Sequence, residues 1–484
     1  MKQTVATIRL SVLIACVVVI PLSIRAQPER GRPPQEAIAI CNGQSAGAAC
    51  EFTSPRGDLI NGTCQLVQNQ LACVPQNRPR QGMQTPPAAT PQPSQSPVAA
   101  GKPSPLPYLV VDTGQRKCYD NMAEITCPPA GQAFAGQDAQ YAGIQAAYKN
   151  NGDGTLTDLN TGLMWQRDPG KKMTYAAAVA GASAFRLAGY ADWRLPTIKE
   201  LYSLILFSGI DPGPQTTPAT GVPFIDTDIF VFEYGDTSAG ERIIDAQYLS
   251  ATKYVSTTMH KDETAFGVNF ADGRIKGYGL TDPRTRGAKT FYVLYVRGNT
   301  GYGKNAFREN GDGTITDNST GLMWMQADSG KNLAWADALN YCEALEFAGH
   351  ADWRLPNAKE LQSLVDYSRA PATTHSAAID PLFETTAITD EGGKQNYPFY
   401  WTSTTHANER GGNSAAYIAF GEALGWMKPP TGNTYALLDV HGAGAQRSDP
   451  KTGDASGYPH GHGPQGDVIR INNYARCVRE GTVK

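Results

Sequence analysis

The feature that most constrains the fold is a long sequence pattern that occurs twice. Asn151-Gly-Asp-Gly-Thr-Leu-Thr-Asp158 returns as Asn310-Gly-Asp-Gly-Thr-Ile-Thr-Asp317, and Ala188-Gly-Tyr-Ala-Asp-Trp-Arg-Leu-Pro196 returns as Ala348-Gly-His-Ala-Asp-Trp-Arg-Leu-Pro356. A repeat of about 160 residues exceeds the roughly 20–50 residues of solenoid repeats. The pattern therefore predicts a duplicated domain rather than a repeat array.

The N-terminus has the pattern of a secretory signal peptide. Lys2 and Arg9 precede an apolar run from Leu10 to Ile24, so residues 1–26 are predicted to be removed. The run is short for a membrane span, and a retained anchor is the alternative. Cys16 lies too close to Arg9, within a continuing apolar run, to favour a lipoprotein. We expect a secreted, periplasmic or outer cell-surface protein with no transmembrane span in the mature chain.

The charge balance argues against nucleic acid as the main partner. The chain has 42 basic and 45 acidic residues, and the signal peptide removes three basic residues and no acidic ones. Neutralising phosphates requires a basic surface, which this acidic excess does not favour.

Eight cysteines remain after the signal peptide, an even number that predicts disulfides in a secreted chain. Residues 41–73 form a small module with few apolar residues, in which two disulfides must replace a core. Three pairings are possible among its cysteines, which are Cys41, Cys50, Cys64 and Cys73. Residues 75–107 are rich in Pro, Gln, Ser and Ala and predict an extended linker.

The two copies are expected over residues 108–298 (copy 1) and 299–484 (copy 2). Copy 1 begins with a hairpin whose Cys118 and Cys127 face each other. Each copy then has two short strands with glycine turns, two helices and further short strands. The first helices are expected from Tyr175 to Leu187 and from Trp335 to Phe347, with Gly189 and Gly349 as C-caps; the second begin at Thr197 and Asn357, where Glu200 and Glu360 complete capping boxes.

A fourth disulfide follows from comparing the copies. Cys342 in the first helix of copy 2 corresponds to Ala182, and Cys477 in the last strand corresponds to Tyr295. Copy 1 thus lacks both cysteines together, as expected for a bonded pair. We predict a Cys342–Cys477 bond that ties the first helix to the C-terminal strand.

This arrangement resembles the C-type lectin-like fold, so the predicted class is α+β with two tandem lectin-like domains of two helices and short antiparallel strands. A closer resemblance is to a family of secreted bacterial domains named after the C-terminal domain of the Legionella collagen-like adhesin. Its motifs are Asp-Gly-Thr-x-Thr-Asp, Gly-Leu-Met-Trp, Asp-Trp-Arg-Leu-Pro with Glu-Leu, and a final Arg-Cys-Val-Arg, and all occur in copy 2. The resemblance implies adhesion or recognition of glycans such as sulfated polysaccharide.

Copy 1 departs from the family pattern and is expected to be the structural copy. It lacks the cysteine pair, and it has Tyr254 where copy 2 has Trp401 in the strand Trp401-Thr-Ser-Thr-Thr405.

The recurring motifs themselves are predicted to build the fold. Their tryptophans should fill the core, and their Asp and Arg residues should pair or cap locally. These residues are Trp165, Trp324, Asp192, Trp193, Arg194, Asp352, Trp353 and Arg354. The Asn310-Gly-Asp-Gly-Thr314 segment lacks the ligand set of a calcium loop and favours a β-turn. Calcium binding is therefore possible but has no support in the sequence, and no cofactor is expected.

Copy 2 contains an insertion over about residues 426–470 that is the predicted binding surface, with a mobile surface loop as the alternative. The candidate ligand-binding residues are Trp426, Tyr435, His441 and Arg447, together with Trp401; the weaker metal candidates are His460, His462 and Asp467. The expected partner is an extracellular glycan or a surface protein.

Catalysis is not expected. Arg-Leu-Pro-Thr with a nearby Glu also resembles the formylglycine-generating oxidases, but those need a reactive thiol pair, and the cysteines here are assigned to disulfides. The alternative to a binding protein is a structural envelope or protein-interaction component without a small ligand.

Overall fold

The structure, a computed structural model, describes residues 35–42, 44–45, 48–53, 59–67, 70–75, 106–213, 221–259, 261–282, 285–428 and 434–481. The predicted signal peptide and most of the Pro-rich linker lie outside these residues. The chain divides into two compact units, Met1–Ser96 and Pro97–Lys484. Within the described ranges, no helix has the length and apolar character needed to cross a membrane.

The first unit contains the small cysteine-rich module. Helix α1 (Gln35–Ala39) precedes a three-stranded antiparallel sheet of β1 (Ala49–Thr53), β2 (Leu59–Val67) and β3 (Gln70–Pro75). Of the three possible pairings, the structure has Cys41–Cys64 and Cys50–Cys73. Among the described residues, the four cysteines and Ala37 form its core cluster and Ala72 is also buried, so the disulfides replace a conventional apolar core.

The second unit is an α+β structure rich in strands. It opens with a hairpin of β4 (Cys118–Tyr119) and β5 (Glu124–Ile125), joined by the predicted Cys118–Cys127 bond, and a 3₁₀ helix at Asp138–Gln140; further 3₁₀ helices lie at Thr237–Ala239 and Ala455–Gly457. The elements of copy 1 are β6 (Tyr148–Asn150), β7 (Thr155–Asp158), β8 (Leu163–Gln166), β9 (Met173–Thr174), α2 (Tyr175–Ala184), α3 (Ile198–Tyr202), β10 (Gln247–Thr258), β11 (Asp262–Asn269), β12 (Arg274–Gly279), β13 (Thr290–Phe291) and β14 (Val296–Gly298).

Copy 2 repeats this order, except that a single bridge between Leu333 and Asn473 replaces the β9–β13 pair, and it adds short elements. They are β15 (Phe307–Glu309), β16 (Thr314–Asp317), β17 (Leu322–Met325), α4 (Trp335–Glu343), α5 (Ala358–Ser363), α6 (Pro371–Thr374), β18 (Ile388–Thr389), β19 (Gln395–Asn396), β20 (Phe399–Thr405), β21 (Ser414–Ala419), β22 (Leu424–Met427), β23 (Ala436–Asp439), β24 (Gln446–Pro450) and β25 (Val478–Glu480). Helices α2 and α4 end several residues before the expected Gly189 and Gly349, which instead have positive φ in the turns that follow.

The two copies share one central sheet. Its strand order is β10-β11-β12-β24-β21-β20, so three strands of copy 1 meet three of copy 2 where Ile275 pairs with Gln446. The order is symmetric about that pair, which gives the duplicated chain an internal pseudo-two-fold axis. The copies are therefore halves of one compact unit with a continuous core, rather than two separate domains.

A reciprocal pair of lysines, of which Lys359 is buried and Lys199 partly buried, joins the halves. Lys199 of α3 donates from Nζ to the carbonyl oxygen of Ser363 at 2.8 Å, and Lys359 of α5 donates to the carbonyl oxygen of Ser203 at 2.8 Å. Burial lowers the pKa of Lys199 to about 8 and that of Lys359 to about 7. The recurring lysine of the Lys-Glu-Leu motif thus contacts the end of the helix in the other copy.

The other recurring motif residues build the scaffold. Trp165 and Trp324 are fully buried, and Trp193 and Trp353 are nearly so. The arginine of each motif bonds the capping-box glutamate, Arg194 to Glu200 at 2.7 Å and Arg354 to Glu360 at 2.6 Å.

The aspartates of the motif do not pair locally as expected. Asp192 accepts from Arg297 and Asp352 from Arg479, both at 2.7 Å. Each ion pair ties the motif to the last strand of its own copy.

The Cys342–Cys477 bond is present, and both cysteines are fully buried. Copy 1 joins the same two elements differently. The Tyr295 hydroxyl donates to the Ala178 carbonyl oxygen of α2 at 2.8 Å. A Cβ at Gly181 would lie 2.8 Å from that hydroxyl oxygen, so glycine makes room for the tyrosine. A hydrogen bond in copy 1 thus takes the place of the disulfide in copy 2.

The expected correspondence of Tyr254 with Trp401 is wrong. The Trp401 amide donates to the Tyr474 carbonyl oxygen at 2.8 Å, and in copy 1 the Leu249 amide donates to the Tyr292 carbonyl oxygen at 2.9 Å. Leu249 is therefore the counterpart of Trp401. The error of five residues arises because β10 is longer than β20 and contains register shifts, so a second Thr-rich stretch mimics the motif.

Candidate functional site

The insertion in copy 2 consists of two excursions separated by a strand of the central sheet. Copy 1 connects β11 to β12 by a tight turn at residues 270–273, whereas copy 2 connects β21 to β24 through the hairpin β22–β23. The second excursion spans residues 451–473. Strand β24 lies inside the segment that the sequence predicted to be a loop. The prediction failed there because the residues of β24 do not alternate between apolar and polar side chains as a strand usually does. Arg447 therefore lies on the central sheet.

The two excursions meet in an aromatic cluster at the surface. The Tyr435 ring, from the first excursion, stacks on the His460 ring of the second with centroids 3.8 Å apart. Trp426 of β22 lies edge-on to the same imidazole at 6.2 Å. Tyr435 is 38% exposed. The structure therefore brings together three residues that the sequence singled out separately.

Beside this cluster lies an aromatic pocket of about 440 Å³. Trp426, Phe399, Tyr458 and Tyr474 contribute aromatic surface. The polar groups in its wall are mostly amides and ions, from Asn332, Asn472, Asn473, Glu391 and Arg470. The Arg470 guanidinium lies 3.9 Å from the Phe399 ring centroid and its Nε donates to Glu391 at 2.8 Å, so its position is held on two sides.

A second pocket, of about 400 Å³, lies over the boundary between the copies and is here called the seam pocket. Arg274 and Lys276 of β12 face it from copy 1, and Arg447 of β24 faces it from copy 2. Burial lowers the pKa of Lys276 to about 8 despite its bond to Asp272 at 2.6 Å. Tyr458 lines both pockets, so the second excursion lies between them.

Arg447 is oriented by a network of which His441 is buried and Asp467 partly buried. One of its amino groups bonds Asp467, whose other oxygen lies 2.8 Å from Nε2 of His441. Burial raises the pKa of Asp467, but Arg447 and His441 together hold it well below its usual range. Burial and then Arg447 lower the pKa of His441 to about 4, so the imidazole is neutral at neutral pH. Arg447 Nε and Nη1 are buried without a partner among the described residues.

Two predicted ligand-binding residues are instead buried. Trp401 is fully buried, with Nε1 donating to the Leu333 carbonyl oxygen at 2.9 Å, and His441 is only 1% exposed. Trp401 therefore belongs to the core, whereas the sequence analysis predicted that it lies on the binding surface. His441 belongs to the network that positions Arg447.

The weak metal candidates do not converge. His460 stacks on Tyr435, Asp467 is occupied by His441 and Arg447, and His462 meets Asp467 through backbone hydrogen bonds. Within the described ranges, no group of three His, Asp or Glu side chains is close enough to hold a metal ion. In the glycine-rich turn, Asp312 accepts from Thr314 at 2.5 Å, so its carboxylate organises the turn.

Residues of copy 1 contact the base of the β22–β23 hairpin. The Tyr254 hydroxyl donates to Asp439 Oδ2 at 2.7 Å, and the Met259 amide donates to the Asp439 carbonyl oxygen at 2.6 Å. The Gly277 amide donates to the His441 carbonyl oxygen at 2.8 Å; a Cβ at Gly277 would lie 2.6 Å from that oxygen. Sequence reasoning missed this role of Tyr254 because its partner lies 185 residues away.

The structure thus defines a duplicated α+β scaffold whose second copy carries two surface excursions. The family model of the Lcl C-terminal domain matches residues 154–297 and 313–438, together more than half of the chain. The chain belongs to this family and carries two copies of its domain, as the sequence motifs predicted. Membership indicates a secreted bacterial surface or binding protein. No curated protein and no solved structure matches the chain.

Proposed function

We propose that the protein is a secreted binding protein that recognises an extracellular glycan through the two excursions of copy 2. The observation that carries the proposal is the aromatic pocket with its adjoining cluster of Trp426, Tyr435 and His460. Binding sites combine apolar and aromatic walls with a few oriented polar groups, and they favour loops on a rigid scaffold. Flat rings suit the apolar faces of sugars, and amides suit their hydroxyls.

The seam pocket supports an anionic glycan, such as a sulfated polysaccharide. Arg274, Lys276 and Arg447 converge there, and arginine forms strong bidentate bonds with sulfate and carboxylate. Because the seam pocket and the aromatic pocket flank the same excursion, one extended chain could contact both. The ion pairs with Asp211, Asp272 and Asp467 keep this surface from being uniformly basic.

We infer that binding is not coupled to catalysis and that the domains are lectin-like. All eight cysteines after the signal peptide are in disulfides, which leaves no thiol for oxidase chemistry of the formylglycine-generating type. The bond between the first helix and the C-terminal strand of copy 2, followed by a second helix, supports the lectin-like interpretation.

A glycan array probed with the chain from residue 27 onward tests the proposal. We expect binding to sulfated or uronic-acid polysaccharides that is lost in Tyr435→Ala. Tyr190→Ala is the matched control, because Tyr190 is also 38% exposed but lies in copy 1. Absence of glycan binding, or equal binding by both variants and the unaltered chain, would contradict the proposal.

A further inference from the structure

The N-terminal segment of the second unit, residues 108–142, fills a groove that copy 2 forms together with Phe207 of copy 1. Lys359 Nζ donates to the Asp112 carbonyl oxygen at 2.9 Å, and the Phe207 amide donates to the Thr113 carbonyl oxygen at 2.7 Å. The Thr404 hydroxyl donates to Asp138 Oδ2 at 2.6 Å, and the Arg354 guanidinium lies 5.3 Å from the Tyr141 ring centroid. Thr113 and Asp138 are buried there, so the segment is an integral part of this groove.

Each groove residue has a counterpart related by the pseudo-two-fold axis. Arg194 and Lys199 occupy the places of Arg354 and Lys359 in the repeated motif. Thr252 corresponds to Thr404, because each hydroxyl oxygen accepts from the first helical amide at 3.0 Å. Tyr367 corresponds to Phe207, since each lies four residues after the serine that a lysine contacts.

These four counterparts line one open pocket of about 650 Å³, here called the copy-1 groove. One of them is already occupied: Lys199 donates to Asn305 Oδ1 at 2.8 Å, a side chain of the connection between the copies. The others are not. Within the described part of the chain, the Thr252 hydroxyl and the Tyr367 amide donate no hydrogen bond, whereas Thr404 and Phe207 donate to the N-terminal segment.

We propose that the copy-1 groove binds an extended peptide segment of a partner protein. The partner places a carboxylate on the Thr252 hydroxyl, a backbone carbonyl oxygen on the Tyr367 amide and an aromatic ring beside Arg194. The chemistry is that of Asp138, Thr113 and Tyr141 in the filled groove. This surface is separate from the aromatic pocket, so the proposal does not depend on glycan recognition.

The contacts favour a peptide over a sugar as occupant. The Tyr367 amide is a backbone donor, and its counterpart, the Phe207 amide, already donates to a peptide carbonyl oxygen. The Thr252 hydroxyl can give a charge-assisted hydrogen bond to a carboxylate, which is stronger than one to a neutral hydroxyl. Burial in the filled groove shows that both contacts are compatible with an ordered polypeptide segment.

The probe is a synthetic peptide of residues 108–142 with its Cys118–Cys127 bond closed, titrated into the chain from residue 27 onward by calorimetry. We expect one peptide to bind per chain. Thr252→Val removes the donor and should weaken binding about tenfold or more, the usual range for a hydrogen bond to a charged group. Thr290→Val, an exposed strand threonine of copy 1, should leave the affinity unchanged.

A peptide with Asp138→Asn tests the same contact from the other side. It should bind the unaltered chain about tenfold more weakly, and this arm does not require the Thr252 variant to fold. Failure of the peptide to bind, or an affinity that neither the Thr252→Val chain nor the Asp138→Asn peptide changes, would overturn the proposal. Glycan binding by the same preparation reports separately on the aromatic pocket.

Discussion

The disulfide of copy 2 should contribute far more stability than the hairpin disulfide, because it closes a much longer loop. Cys342 and Cys477 are 135 residues apart in sequence, and Cys118 and Cys127 are nine apart. Loop-closure entropy assigns about 5 kcal/mol to the first bond and about 3 kcal/mol to the second. Replacing each pair by alanine should therefore lower the free energy of unfolding by amounts that differ by about 2 kcal/mol.

Guanidinium unfolding of the two double variants without reductant, followed by tryptophan fluorescence, measures this difference. The variant of the Cys342–Cys477 pair should also lose packing, because both sulfurs lie in the core beside Trp335 and Trp353, whereas Cys127 is exposed. Both variants should retain the strand content of the unaltered chain by circular dichroism. Equal destabilisation by the two double variants, within about 0.5 kcal/mol, would refute the loop-length reasoning.

Other consequences can be measured directly. Tyr254→Phe removes a hydrogen-bond donor to Asp439, so it should lower the free energy of unfolding by about 1–2 kcal/mol and speed amide hydrogen exchange in residues 424–439. The control is Tyr278→Phe, which should change neither quantity, because the Tyr278 hydroxyl has no partner within the described part of the chain. Unchanged exchange in Tyr254→Phe would exclude the bracing role of copy 1. Between pH 7 and about 10, Lys359 is protonated in the unfolded chain but neutral in the folded protein, where it is buried. The free energy of unfolding should therefore rise with pH by up to about 1.4 kcal/mol per pH unit from this group. Lys359→Met should flatten that rise in urea unfolding at pH 7 and 9, and an unchanged slope would contradict the buried-lysine assignment.

Local sequence patterns predicted much of the scaffold. Thr197 with Glu200 and Asn357 with Glu360 form the capping boxes that begin the second helices, because capping depends on residues only three apart. The Cys342–Cys477 bond followed from comparing the two copies. The boundaries of the first helices were less accurate, since α2 ends at Ala184, where the chain turns extended before reaching glycine.

The candidate site was predicted only in part. Trp426, Tyr435 and His460 were singled out for their residue type and their place in the insertion, and the fold brings them into contact. Trp401 and His441 have the same chemical character but are buried, and residue type alone does not reveal burial.

The sequence by itself determined that the domain is duplicated, which residues cap its helices and which cysteines pair in copy 2. These properties depend on short spacings or on direct comparison of two copies. The tertiary structure alone decided that the copies share one sheet, that Tyr254 supports a hairpin of the other copy, and that one groove is filled while its counterpart is open. These depend on contacts between residues more than a hundred positions apart, such as Lys199 with Ser363 and Tyr254 with Asp439. Such contacts arise only when the whole chain has packed around the pseudo-two-fold axis.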